Sequence, residues 1–223
     1  SLNQAVYGQY AITLNIPQAP ISWLYDDEGM ETYDYNLEKA AELLKEAGWE
    51  KDGDKLMKDG KQMKIVFSAM SGNVVTDTMI PLMIDAYGQL GIDFQAEYVD
   101  WPTLQSKSQN GTFDMLFMAW GLTADPDLTG TFASAEAGGT QNRTGYANPE
   151  LDKMLAEALA STSKEEQKEK YKEIYKLINE ELPLYPIYER CDLICYNTRV
   201  QNIEQSSYVK WYQQDKIVNI EVE

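Results

Sequence analysis

Apolar positions recur along this chain with two different periods, and each change of period marks an element. Leu37, Ala40, Ala41, Leu44 and Ala47 fall on one face at helical spacing. Asn36 caps that helix at its front and Gly48 stops it at the back. From residue 63 the spacing shortens to two. Met63, Ile65, Phe67 and Ala69 share a face, as they would in a strand. Residues 74–90 return to helical spacing through Met79, Leu82, Met83, Ala86, Tyr87 and Leu90, with Gly91 as the end. Pro81 lies inside that stretch, so the helix starts near it or kinks there. Ile92, Phe94, Ala96 and Tyr98 alternate again. Asp100 caps a further helix with Pro102 in its first turn, and Gly111 closes it. Asp114–Trp120 is almost continuously apolar, which predicts a strand buried on both faces.

Strand, helix, strand, helix, strand with short links is a βαβαβ unit, with parallel strands and right-handed crossovers. Such a unit places a ligand at the carboxyl ends of its strands, and the loop after the last strand begins at Gly121. Residues 121–148 are rich in Gly, Thr, Ala and Asp and show no period. A loop of this length inside a compact domain is usually functional or disordered. Asn148-Pro149 then opens a helix with Leu151, Leu155, Ala158 and Leu159 inward. Ser163 and Glu166 form a capping box for a second long helix, with Tyr171, Ile174, Tyr175 and Ile178 on its buried face and Pro183 past its end. Leu184–Val200 reads as two strands. Asp52-Gly53-Asp54 and Asp59-Gly60 are turns around a short strand at Lys55–Lys58, without the spacing of a calcium-binding loop. The expected division is an extended, aromatic lead-in over 1–35, an α/β lobe over 36–200, and a tail over 201–223 that packs on the lobe.

Composition narrows the function. With 43% hydrophobic and 25% charged residues in a chain of 223, a folded core is expected rather than disorder. The formal net charge of −17 sets aside nucleic acid and anionic membranes as partners. There is no histidine, which removes Ser-His-Asp and Cys-His catalysis and most zinc sites. No cofactor and no metal are expected. A carboxylate pair survives as catalytic chemistry, but 36 acidic residues do not single one out. Cys191 and Cys195, if extended, lie about 13 Å apart along one face and cannot bridge. They read as small buried thiols, although a sharp turn at Asp192 would change the distance. No run of 18 apolar residues occurs. No signal peptide opens the chain at Ser1-Leu2-Asn3, which fits a cytosolic protein or an excised domain.

Four segments resemble the second lobe of the family 5 extracellular solute-binding proteins, the dipeptide and oligopeptide binders. They are Tyr33-Asp34-Tyr35-Asn36-Leu37-Glu38-Lys39-Ala40 with Leu43-Leu44-Lys45-Glu46-Ala47-Gly48-Trp49; Gly91-Ile92-Asp93 with Val99-Asp100-Trp101; Gly111-Thr112-Phe113-Asp114 leading to Trp120; and Asn142-Arg143-Thr144-Gly145-Tyr146-Ala147-Asn148-Pro149-Glu150-Leu151-Asp152 with Pro183-Leu184-Tyr185-Pro186. Their shared order over residues 33–200 carries the resemblance. It implies a periplasmic-binding-protein-like (type II) α/β lobe with a mainly parallel sheet flanked by helices. It implies further that the first lobe is absent from this chain.

The resemblance also implies a function: a monomer that captures an oligopeptide or similar solute between two closing lobes, without catalysis. The closed form delivers it to ABC permease subunits in the membrane. Members are extracytoplasmic, as periplasmic proteins or surface lipoproteins. Candidate ligand residues are Trp120 and Gly121 at the end of the third strand, Thr123, Asp125 and Asp127 just after it, and Asn142 and Tyr146 where the loop returns. Trp120 is otherwise a core residue, the two aspartates otherwise serve the turn, and Asn142 otherwise braces the loop. Peptide binders of this family place an aspartate three residues after the tryptophan, where it holds the peptide's amino terminus. Here that position is Thr123 and the first acid is Asp125. An oligosaccharide binder remains open, with Trp23, Trp101, Trp120 and Trp211 available for stacking. A carboxylate-dependent hydrolase near Trp120 and a structural surface domain are the readings from other classes.

Overall fold

The computed structural model describes residues 2–121, 127–190, 195–202 and 221–222. The chain opens with helix α1 (Leu2–Val6) and a 3-10 turn (Gly8–Tyr10), then strand β1 (Ala11–Thr13). The lead-in is therefore helical at its start, not extended throughout. Helix α2 (Leu37–Glu46) follows, with Asn36 Oδ1 accepting from Lys39 N at 2.9 Å as its cap. Strands β2 (Glu50–Asp52), β3 (Lys55–Lys58) and β4 (Lys61–Gln62) make a small antiparallel sheet around the two Asp-Gly turns.

The central unit comes next: β5 (Lys64–Met70), α3 (Val74–Gln89), β6 (Asp93–Val99), α4 (Trp101–Asn110) and β7 (Met115–Leu116). The three strands are parallel, in the order β6-β5-β7. Asn73 and Asp100 cap the two helices, and α3 runs through Pro81 without ending. Gly91 lies at φ +82° between α3 and β6, and a Cβ there would sit 2.8 Å from Leu56 N. Only glycine allows the β3 backbone so close, where Leu56 N donates to Gly91 O at 2.7 Å.

The stretch 114–120 departs from expectation. Only Met115 and Leu116 pair as a strand, residues 115–118 are half-buried, and Trp120 is 40% exposed. A long apolar run is buried on both faces only if the sheet continues past it. Among the described residues β7 is an edge, and Phe117 packs instead against the Tyr188 ring at 6.2 Å.

Beyond lie α5 (Thr129–Phe132), α6 (Pro149–Leu159) and α7 (Lys164–Glu181), then β8 (Tyr188–Arg190), β9 (Val200–Gln201) and β10 (Glu221–Val222). The 184–200 region thus holds β8 and the start of β9. Ser163 Oγ accepts from Glu166 N as expected, but the Glu166 carboxylate returns to Thr162 N rather than to the cap residue. Strand β8 pairs antiparallel with β1, so residues 11–13 and 188–190 run side by side. Cys195 is an exposed free thiol rather than a buried one, lying past β8 on an irregular stretch that belongs to neither core among the described residues. Cys191 and most of the tail lie outside the described residues.

Two cores form. One joins α5, α6 and α7 to Ile16 and Leu24 of the lead-in, with Tyr171, Ile174 and Tyr175 fully buried. Asn179 of α7 fastens that lead-in by accepting from Glu31 N and donating to Asn15 O and Glu31 O. The second core lies between α3 and the face of the parallel sheet that carries Phe67, Ala69 and Phe94.

Candidate functional site

The carboxyl edge of the parallel sheet is where strand ends and helix starts converge. Ser71 ties the ends of β5 and β6 together: its N and Oγ both donate to Val99 O, at 2.8 and 3.1 Å. Helices α3 and α4 begin at this edge, and their first free N–H groups are already taken by Asn73 and Asp100. The Thr103 hydrogen bonds hold the Asp100 carboxyl below the usual carboxylate range. The edge therefore offers aromatic surface more than unpaired charge.

Trp120 belongs to that surface, exposed as a contact residue needs to be. Gly121 follows, exposed, and a Cβ on it would meet nothing within 4 Å. Trp101, at the first position of α4, is 46% exposed, and Tyr98, near the end of β6, is 52% exposed. Reading the chain alone offered Trp101 only for stacking on a sugar and did not place Tyr98 at the site. The usable signal was their position at the end of an alternating strand, where a large aromatic side chain has no core to enter. Trp23 is separated from the others, because it packs against the helical core with Lys164 Nζ 5.3 Å from its ring centre. Trp211 lies outside the described residues, as do Thr123 and Asp125.

The remaining candidates are occupied within their own loop. Asp127 Oδ1 accepts from Thr129 N at 2.8 Å, which starts α5. Asn142 donates to Ala133 O and Tyr146 O at 2.9 and 2.8 Å, while its oxygen accepts from Thr144 N and Oγ1. Asn142 thus braces the loop. Tyr146 is half-buried against the helical core, and its hydroxyl donates to Glu181 Oε2. Burial first, and that carboxylate second, push the phenol up to about 12. Gly139 locks the same loop: a Cβ there would fall 1.9 Å from Ala133 O. These contacts hold residues 133–146 together and tie them to the end of α7.

One open groove of about 680 Å³ lies elsewhere, among Leu37, Ala41, Leu44, Trp49, Leu56 and Leu90. It sits where α3 ends and β6 begins, at the sheet's amino edge, so topology separates it from the candidate site. No group of three or more metal-ligating side chains occurs among the described residues.

Comparison with known proteins agrees with this architecture. The family described as bacterial extracellular solute-binding proteins, family 5 Middle, matches residues 1–142. The oligopeptide-binding protein AppA of Bacillus subtilis is 29% identical over 178 residues, 78% of this chain and 33% of that protein. Heme-binding protein A of Haemophilus influenzae is 26% identical over 208 residues, 92% of this chain and 37% of that protein. The solved structure of Bacillus subtilis AppA in complex with a nonapeptide superposes with a TM-score of 0.79 at 27% identity, covering 85% of this chain and 38% of that one. This chain spans about a third of the length of these relatives. The fold is that of a type II periplasmic-binding-protein-like lobe. With a match over more than half its length, the chain belongs to the bacterial extracellular solute-binding proteins of family 5.

Proposed function

We propose that this chain is one wall of a two-walled binding protein that captures an extracytoplasmic solute, an oligopeptide in the first instance, and hands it to an ABC permease without chemical change. The observation that carries this is the exposed aromatic edge of Trp101, Trp120 and Gly121 at the carboxyl ends of the parallel strands. Such an edge buries little of a ligand by itself, and well-formed sites bury most of one. The antiparallel pairing of β1 with β8 is compatible with a second wall, since it joins an early and a late stretch of the chain side by side, as a two-stranded hinge would need. A peptide is favoured because AppA, the relative with a bound nonapeptide, matches most of this chain. A different solute is the second reading. It is favoured by the match to a heme-binding relative over 92% of the chain and by the two exposed tryptophans.

Calorimetry on this chain and on the full-length protein, with a synthetic nonapeptide library, tests the two-wall reading. If half the binding free energy is lost with the second wall, a ligand at about −8 kcal/mol falls to about −4, from micromolar to millimolar. Equal affinities contradict the reading. Native mass spectrometry of the full-length protein as purified separates the solutes: a co-purified peptide mixture supports the first, and a tetrapyrrole or glycan supports the second.

A further inference from the structure

The sheet face turned away from α3 is mixed: Val66, Met70, Val99 and Leu116 share it with a polar centre at Ser68 and Glu97. Ser68, in the central strand β5, is 1% exposed, and Glu97 on β6 is its register neighbour. The Ser68 hydroxyl donates to Glu97 Oε2 at 3.1 Å. The same oxygen receives Lys107 Nζ from α4 at 2.7 Å. Hydrogen bonds between charged partners are short and strong, and the Lys107 ammonium holds the Glu97 carboxyl below the usual carboxylate range.

Helix α4 meets the sheet through this ion pair and through its packing against β5. Leu104 and Ser108 are its buried residues. Among the described residues the buried Ser108 hydroxyl has no hydrogen-bond partner, so it adds no polar tie between α4 and the sheet. Trp101, Leu104 and Lys107 are spaced three apart and lie along one side of the helix. Leu104 is the apolar pivot, Lys107 lies one turn after it, and Trp101 one turn before. Packing around Leu104 and Ser108 seats the helix, and the Lys107–Glu97 ion pair adds a charged tie to β6 that further limits its tilt.

We propose that Ser68, Glu97 and Lys107 form a latch that sets the tilt of α4 and so holds the Trp101 indole at the carboxyl edge. Glu97 and Lys107 are then positioning residues for the ligand site. The contact between Trp101 and ligand rests on the function proposed above, whereas the latch does not.

Fluorine NMR of this chain, labelled with fluorotryptophan, reads the latch without any ligand. The Trp101 resonance is assigned by its loss in Trp101→Phe. Glu97→Gln and Lys107→Met are each expected to shift or broaden that resonance and to leave those of Trp23 and Trp49 in place. Lys107→Arg and Ser108→Ala are expected to leave it unmoved. Should Glu97→Gln fail to fold, Lys107→Met and the milder Ser68→Ala carry the same test. In the full-length protein, Glu97→Gln is expected to weaken binding of the nonapeptide library about fivefold, the upper range for a partly exposed pair. An unmoved Trp101 resonance in both Glu97→Gln and Lys107→Met overturns the latch, whatever the peptides do. A moved resonance with unchanged peptide affinity overturns the link from the latch to the ligand site. A moved resonance with no peptide bound by the parent protein upholds the latch and sinks the peptide reading.

Discussion

The helical half of the lobe and the sheet half are built to different standards. Among the described residues, twelve buried side chains pack together around α6 and α7, including two fully buried tyrosines; between α3 and the sheet five do, with half-buried side chains around them. The helical half also carries the hydrogen-bonded loop that ends at Tyr146. The sheet half carries the exposed tryptophans and the ion pair that ties α4 to β6. The difference places the denser packing in the helical half and, on the function proposed above, recognition in the sheet half.

Paired core truncations would break that comparison most directly. Ile174→Ala, in the tight half, is expected to cost about 3 kcal/mol, and Met115→Ala, on the half-buried edge strand, about 1 kcal/mol. Urea denaturation of this chain measures both, and equal costs would contradict the division. A smaller effect separates two carboxylates. Burial raises Glu189 on β8 above its ordinary value, while the Lys107 hydrogen bond lowers Glu97 on β6. The Glu97 contribution is present above the ordinary carboxylate range and is lost as pH falls through its lowered value. For Glu189 the sign reverses: its contribution is present below that range and is lost as pH rises through the raised value. Glu189→Gln should therefore raise the melting temperature at neutral pH and change nothing at pH values well below 4.5. The same increase at both pH values would show that charge burial is not the cause.

The two halves also differed in how much the sequence revealed. Tyr171, Ile174, Tyr175 and Ile178 announced the buried face of α7, because a helix facing one core repeats its apolar residues at a fixed angle. The parallel order of β5, β6 and β7 was legible for a similar reason, since alternation and short links leave few topologies. The depth of burial at 114–120 was not legible. It depends on a neighbour across the β7 edge, and no local pattern encodes one. The 127–148 loop hid its α5 and its bracing, because Asn142, Gly139 and the Ser134–Asp152 hydrogen bonds act singly and have no period. Of the proposed site, the exposure that Trp120 and Gly121 would need was expected from their place at a strand end, and both are exposed. Which of Asn142's two roles it filled was decided by hydrogen bonds that only the folded chain shows.

Trp120→Ala in the full-length protein tests the central claim, that this edge is one wall of a ligand site. Trp120 is 40% exposed, so its truncation should leave the melting temperature nearly unchanged. As an aromatic anchor it should weaken binding of the nonapeptide library at least tenfold, about 1.4 kcal/mol or more. Unchanged affinity together with a melting temperature lowered by several degrees would make Trp120 a packing residue and contradict the account.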